Sequence, residues 1–143
     1  MTVRLVRFAA AVLVFGGLAA ASSRVVAHGD VTPQPVDTTG LEKLGPEWLP
    51  HNPYRGNPRA IEIGASAFNQ NCARCHGLGA VSGGIAPDLR YLEVGDVGDE
   101  WFEMRVRNGA ERNGVTYMPK FGDALGQEAL WSIRSWLETV AEQ

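Results

Sequence analysis

The sequence has 143 residues, of which 45% are hydrophobic and 20% charged, with a formal net charge of −3 at pH 7. This length fits one domain with a modest core. The acidic balance argues against a nucleic-acid-binding protein, because phosphates demand a basic face. It favours instead electrostatic docking with a partner that carries a basic patch.

Residues 1–27 have the three parts of a secretory signal peptide. Arg4 and Arg7 form the basic start, residues 8–21 form an apolar run, and small residues end at a cleavage site after Ala27. The apolar run is shorter than the roughly 20 residues that span a bilayer, so an uncleaved membrane anchor is the less favoured alternative. We therefore expect export to the periplasm, cleavage after about Ala27, and no stable membrane insertion.

Residues 28–57 are predicted to form an irregular, Pro-rich N-terminal arm. Six of the eight prolines of the chain lie between residues 28 and 58, which is typical of extended segments. Trp48, Leu49 and Tyr54 also lie in this arm, and such side chains favour burial. We expect the arm to pack against the domain formed by residues 58–143, and a docking surface for another protein is the alternative.

The first helix is predicted to begin at Asn57–Pro58, because asparagine caps helix N-termini and proline suits the first helical position. Small or apolar residues then recur at helical spacing as far as the first cysteine. These residues are Ile61, Gly64, Ala65, Phe68 and Cys72.

The run Cys-Ala-Arg-Cys-His at residues 72–76 follows this helix. Two cysteines separated by two residues, with histidine directly after, form the c-type haem attachment signature. Cys72 and Cys75 would each bond one former vinyl group of the porphyrin, and His76 would bind the iron as proximal ligand. The run therefore predicts one covalently attached haem c.

The Cys-x-x-Cys-His run has three other interpretations. A thioredoxin-like redox pair needs a strand before the motif and a βαβ frame, whereas the preceding residues are predicted to be helical. A zinc site needs a fourth ligand, but the chain has only two cysteines, and His28 and His51 lie in the Pro-rich arm without ligand spacing. A structural disulfide is the third alternative, since the protein is predicted to be exported.

A glycine-rich loop at residues 77–95 follows the motif and is predicted to fold around the cofactor. Within it, Pro87 could offer a carbonyl to the free N–H of His76, because ligating histidines usually donate to such an acceptor. A second helix is predicted from Asp99 to Gly109, with Trp101, Phe102 and Val106 on its apolar side.

Met118 precedes Pro119 in a predicted loop after the second helix. A methionine sulfur as the sixth iron ligand would raise the reduction potential, and proline prevents a helix from continuing through this segment. Met118 is the favoured distal ligand. Met104, which lies inside the second helix, and His51 are the weaker candidates.

The third helix shows the clearest apolar face of the chain. Gly64 on the first helix is predicted to let this last helix approach closely, with Phe68 and Trp136 interlocking at the crossing. No strand pattern competes with these three helices, so the sequence predicts an all-α fold. The apolar face comprises Ala129, Leu130, Ile133, Trp136, Leu137 and Val140.

Three short motifs together resemble the class I c-type cytochromes. They are Cys-Ala-Arg-Cys-His-Gly at residues 72–77, Ala-Pro-Asp-Leu at 86–89 and Tyr-Met-Pro at 117–119, followed by a closing aromatic helix. The resemblance covers roughly residues 58–140. It implies a small class I cytochrome c fold, with about three main helices around one covalently bound haem and the irregular arm in front.

The resemblance also implies site residues. The proline of the family's Pro-x-Leu stretch accepts the histidine N–H, which matches Pro87, and the leucine packs on the porphyrin, which matches Leu89. The methionine of its Met-Pro stretch is the distal ligand, which matches Met118. The residues that would contact the haem propionates are not assigned, and the candidates are Arg90, Tyr91, Trp101 and Arg107.

The whole mature chain, including its arm, is more narrowly similar to periplasmic cytochromes c550, which take electrons from PQQ-dependent (quinoprotein) alcohol dehydrogenases. The expected function is therefore single-electron transfer from such a dehydrogenase to a terminal oxidase or another cytochrome, without enzymatic activity. One alternative is a carrier or subunit for another periplasmic dehydrogenase or an oxidase. A second is a gas- or peroxide-reactive haem protein with an open sixth position.

Overall fold

The computed structural model describes residues 32–142. The predicted signal peptide and its cleavage point lie outside this range. None of the helices in the described range is long and apolar enough to cross a membrane. The elements are α1 (Pro58–Asn71), α2 (Ala73–His76), α3 (Asp96–Asn108), β1 (Ala110–Arg112), β2 (Val115–Met118) and α4 (Gly122–Thr139), with 3₁₀ turns at Leu78–Ala80 and Leu89–Tyr91.

Helix α1 begins where the sequence predicts. The Asn57 side chain accepts hydrogen bonds from the backbone N–H groups of Arg59 and Ala60, and Pro58 occupies the first turn. These contacts satisfy donors that have no partner inside the helix. The predicted start of the first helix is therefore confirmed.

Helices α1 and α4 cross at very short range, as predicted. A Cβ atom on Gly64 would lie 1.9 Å from the carbonyl oxygen of Ser132, so only glycine fits at this point. Beside it, the rings of Phe68 and Trp136 pack with their centroids 4.6 Å apart. This crossing forms the centre of the core.

Helix α4 is longer than predicted and is bent near its start. Gly126 has φ 73° and ψ 166°, which interrupts the helix between a first turn and the rest. Ala129, Leu130, Ile133 and Leu137 are buried as expected. Trp131 was not predicted to lie in the core, but it is fully buried and packs against Phe102 with ring centroids 6.0 Å apart.

Helix α3 begins at Asp96, three residues before the predicted start. Asp99 is instead completely buried; its carboxylate accepts from Arg134 Nε at 2.7 Å and from the backbone N–H of Asn52 at 2.8 Å. An acidic residue near the start of a helix is typical of an N-terminal cap. Asp99 instead forms a buried ion pair with Arg134. Trp101, expected on the apolar face, is 40% exposed.

The two-stranded antiparallel sheet β1–β2 was not predicted, so the expected loop carrying Met118 is instead the end of strand β2. Both strands are too short and too exposed to show an alternating pattern. The turn between them has Asn113 at φ 52° and Gly114 at φ 74°. An Asn-Gly pair with two positive φ angles is a strong hairpin signal, and it could have revealed the sheet.

The described part of the arm, residues 32–57, contains no helix or strand. It packs against the domain as expected: Tyr54 is 5% exposed, and Trp48 lies half-buried against the core. Arg55 adds ion pairs to Asp96, Asp99 and Glu138. The arm is thus part of the folded unit, and its use as a docking surface stays a prediction.

Candidate functional site

One cavity of about 590 Å³ brings all six predicted site residues together. Its volume lies within the range of about 300–1,000 Å³ that is usual for ligand pockets. The walls come from α1, α2, the loop after α2, α3, the hairpin and α4. The predicted residues that line it are Cys72, Cys75, His76, Pro87, Leu89 and Met118.

The two cysteines lie at the junction of α1 and α2. Cys72 ends α1, and its carbonyl accepts hydrogen bonds from the backbone N–H groups of Cys75 (3.1 Å) and His76 (3.0 Å). One tight helical turn therefore directs both sulfurs and the imidazole to the same cavity. Neither cysteine forms a disulfide, so the structure does not support the disulfide interpretation.

The environment of the cysteines also does not favour a redox pair or a zinc site. Burial raises the pKa of the Cys72 thiol to about 12, which disfavours the accessible thiolate that a redox-active cysteine needs. Within residues 32–142, the one cluster of potential metal-ligating groups is His51, Asp96 and Asp99. It does not include the cysteines, and Arg55 pairs with both of its carboxylates.

The imidazole of His76 is oriented by one backbone carbonyl. Its Nδ1 lies 2.8 Å from the carbonyl oxygen of Pro87. With Nδ1–H donating to that oxygen, Nε2 is unprotonated and able to bind a metal. The predicted contact between these two residues is present.

The loop that carries Pro87 is held by a small polar network. The Asp88 carboxylate accepts from the backbone N–H groups of Ser82 and Arg90, both at 3.1 Å. Hydrogen bonds from the Arg90 side chain, followed by those two backbone bonds, lower the pKa of Asp88 to about 2. The carbonyl that accepts from His76 therefore belongs to a fixed turn.

Met118 lines the cavity from the end of β2. Its carbonyl packs against Gly109, where a Cβ atom would lie 2.4 Å from the oxygen. The competing candidates lie elsewhere: Met104 is 40% exposed and outside the cavity lining, and His51 Nδ1 lies 3.9 Å from Asp96. Of the two methionines in the described residues, only Met118 reaches the site.

The charged groups at the cavity differ from those expected. Arg105 lines it, donates from Nη1 to the Gly109 carbonyl at 3.0 Å, and stacks over the Trp101 ring at 5.3 Å. Trp101 also lines the cavity, as anticipated, but Arg90, Tyr91 and Arg107 do not. Arg105 follows Trp101 by four residues, so it lies on the same helix face, which is the signal that sequence reasoning missed.

The chemistry of this site fits haem c. Cys72 and Cys75 supply two thiols that could form thioether bonds. His76 and Met118 supply an imidazole and a thioether, which are the iron ligands that cytochromes c use. The walls of the cavity are largely apolar. At the rim, Ile85 is 78% exposed and Tyr117 is 66% exposed, and a flat apolar ring would cover such side chains. Further apolar lining comes from Phe68, Phe102, Val106, Leu130, Ile133 and Leu137.

Comparisons with known proteins agree with this chemistry. The family model described as cytochrome C oxidase, cbb3-type, subunit III matches residues 59–137. Cytochrome c550 of Pseudomonas aeruginosa is 64% identical over 132 residues, which cover 90% of each chain. No solved structure matches the chain significantly.

Two larger proteins contain a similar segment. Quinohemoprotein alcohol dehydrogenase ADH IIB of Pseudomonas putida is 34% identical over 85 residues, covering 59% of this chain and 12% of the dehydrogenase. The cbb3-type cytochrome c oxidase subunit FixP of Rhizobium meliloti is 33% identical over 89 residues, covering 58% of this chain and 31% of FixP. The family model, which matches more than half of the chain, and the long match to cytochrome c550 show that the chain belongs to the cytochrome c family, as a monohaem, cytochrome c550-like electron carrier with covalently bound haem c.

Proposed function

We propose that this protein is a periplasmic carrier of single electrons, with the haem held by Cys72 and Cys75 and ligated by His76 and Met118. The observation that carries the proposal is the single cavity containing all four side chains, with His76 oriented by Pro87. When bound, the haem supplies an iron that gains and loses one electron.

The protein's own residues hold that iron in an enclosed, apolar setting. Pro87 keeps His76 in one tautomer, and Leu89 contributes apolar surface beside it. His76 and Met118 would both ligate the iron, which would leave no open position for a substrate. The proposed role is therefore electron transfer and not catalysis.

Arg105 completes the proposed site as the partner of a haem propionate. It is a half-buried cation at the cavity, and no carboxylate of the described residues lies within ion-pair distance of it. A buried or half-buried charge is stable when it is paired, and a propionate would supply the opposite charge. Trp101 stacks beneath its guanidinium and keeps it in place.

The proposed donor is a PQQ-dependent alcohol dehydrogenase, and the proposed acceptor is a terminal oxidase or another cytochrome. The support for the donor is the 85-residue similarity to a quinohemoprotein alcohol dehydrogenase, which has a segment like this protein within its own chain. A small electron-transfer protein would dock transiently on such a donor, because interfaces of this kind are small.

A second candidate is service to an oxidase, as its electron carrier or as a subunit. The family model described as a cbb3-type oxidase subunit and the similarity to FixP favour it. A subunit would remain bound to the oxidase during purification in mild detergent, whereas a carrier would separate from it.

Spectroscopy of the ferric protein tests the axial ligands. Methionine ligation gives ferric haem a weak long-wavelength absorption band, which should be present in the wild type and absent in Met118→Ala. Met104→Leu is the matched control and should retain the band. A wild type without the band would favour the gas- or peroxide-reactive alternative.

Kinetics with purified dehydrogenases test the donor. The mature protein should be reduced quickly by a quinoprotein alcohol dehydrogenase, with a rate that depends on ionic strength. Failure with every quinoprotein tested would reject this donor. The mass of the protein recovered from the periplasm tests export: it should correspond to a chain beginning at His28 plus one haem.

A further inference from the structure

A short part of the arm, residues 44–49, is bound to the start of helix α4; we name it the brace. The buried side chain of Gln127 accepts from the Leu49 N–H at 3.2 Å and donates to the carbonyls of Gly45 at 2.8 Å and Glu47 at 2.9 Å. The Leu44 N–H donates to the neighbouring Glu128 carboxylate at 3.2 Å. The Gln127 side chain thus satisfies three backbone hydrogen-bonding groups of an otherwise irregular segment.

The brace also contacts the chain that leads away from Met118. Its Trp48 ring stacks on the guanidinium of Arg107 at 5.1 Å. Both side chains flank Gly122, where a Cβ atom would lie 3.2 Å from Arg107 Cγ and 3.6 Å from Trp48 Cζ2. Gly122 is four residues after Met118 and begins the turn that precedes the bend at Gly126.

The segment from residue 118 to residue 122 is fixed at Met118, which pairs with Ala110 of β1, and at Phe121, which is buried in the core. The Phe121 N–H donates to the Val106 carbonyl at 2.8 Å, and Pro119 has no N–H to donate. Beyond Gly122, the bend at Gly126 separates this end of α4 from the long buried part of the helix. Trp48, which packs against Gly122, adds a further contact that limits movement of this segment.

We propose that the brace is a positioning element that holds the Met118 sulfur at the haem iron. The inference rests on the proposed function, because it requires Met118 to be the distal ligand. Trp48 packs against Gly122, and Gln127 anchors the brace just beyond the bend at Gly126, so a displacement of the sulfur that moves residues 119–122 also breaks the Trp48 contact. An interaction lost only in the open state shifts the equilibrium towards the closed state by its full free energy.

Competition with imidazole measures this equilibrium directly. In the ferric, haem-loaded protein, added imidazole takes the place of the methionine, and its apparent dissociation constant reports how firmly Met118 is held. We expect Trp48→Ala to lower that constant about tenfold, equivalent to about 1.4 kcal/mol. Gln127→Ala should act in the same direction.

The arm offers a matched control at its other end. Val36 is half-buried against the core and lines a small pocket beside Ile63 and Ala67 of α1, far along the chain from the brace. Val36→Ala should lower the stability towards guanidinium and leave the imidazole constant within about twofold of the wild type. Trp48→Leu, which keeps apolar bulk, serves if Trp48→Ala does not fold.

Each outcome decides the proposal. Equal shifts in Trp48→Ala and Val36→Ala would show that the arm acts only through overall stability, and unchanged constants in both brace variants would also overturn it. Met118→Ala separates the proposed function from this inference. If the wild type binds imidazole as tightly as Met118→Ala does, Met118 is not the ligand and the proposed function fails first.

Discussion

The histidine side and the methionine side of the cavity are built from different kinds of contact. On the histidine side, the cysteine turn, His76 and the Pro87 carbonyl lie within a few turns of chain, and the key hydrogen bond spans only 11 residues. On the methionine side, the brace is joined to Gln127, beyond the bend at Gly126, through hydrogen bonds that span about 80 residues. The first side is fixed locally, whereas the second combines the local β1–β2 hairpin with contacts that need the completed fold.

The largest expected effect concerns the helix crossing that supports both sides. Gly64→Ala places a Cβ atom on the Ser132 carbonyl of α4, and the cost should be about 3 kcal/mol of unfolding free energy. Guanidinium unfolding followed by circular dichroism measures it. Gly83→Ala is the control, since open space surrounds Gly83, and a similar loss there would show that the crossing is not special.

The second-largest effect is expected from removal of the Met118 sulfur. Met118→Ala is expected to lower the reduction potential by on the order of 100 mV, about 2.3 kcal/mol for one electron, because thioether ligation favours the ferrous state. Potentiometric titration of the haem-loaded protein measures the shift. The haem should stay attached, since Cys72 and Cys75 belong to the other side, and an unchanged potential would contradict the assignment.

A smaller change is expected at the cavity rim. Arg105→Gln removes a cation beside the proposed propionate, which favours the ferric state and lowers the potential by up to about 60 mV, or 1.4 kcal/mol. Arg59→Gln makes the same charge change at an exposed pair on α1, so it should leave the potential nearly unchanged. Equal shifts in the two variants would point to net charge alone.

The smallest effect is expected at Asp88, beside Pro87. Its pKa in the folded protein is about 2, against an ordinary 3.8, so the carboxylate stabilises the fold above pH 3.8 and this contribution disappears as pH falls towards 2. Asp88→Asn should flatten the pH dependence of stability in that window, and salt should weaken the wild-type effect because the Asp88 carboxylate is partly exposed to solvent. Urea unfolding at several pH values measures this, and an unchanged slope would contradict it.

The same difference between the two sides explains what the sequence could predict. The Cys-x-x-Cys-His run, the Asn57 cap and the Gly64 crossing depend on spacing along single helices, and each is found in the structure. The hairpin was missed because its strands are only three and four residues long. Residue type placed Met118 in the site without revealing the strand that carries it.

Buried polar residues were the least predictable. Asp99 and Arg134 are nearly inaccessible, although acidic and basic residues are normally read as surface. Gln127 can be buried because it hydrogen-bonds backbone groups about 80 residues away. The sequence did not reveal this burial, since partners so distant along the chain leave no local pattern. No local pattern encodes such pairs, because a tertiary contact creates the site that makes burial favourable.

The joining of the arm to α4 has a consequence for the order of assembly. Asn52 donates to Ser135 across 83 residues, and loops of this length close late because their entropy must be overcome first. Until α4 docks, the cavity also lacks the wall formed by Leu130, Ile133 and Leu137. Haem attachment before α4 docks would therefore leave both thiols accessible, and docking of the last helix and the arm would then close the cavity.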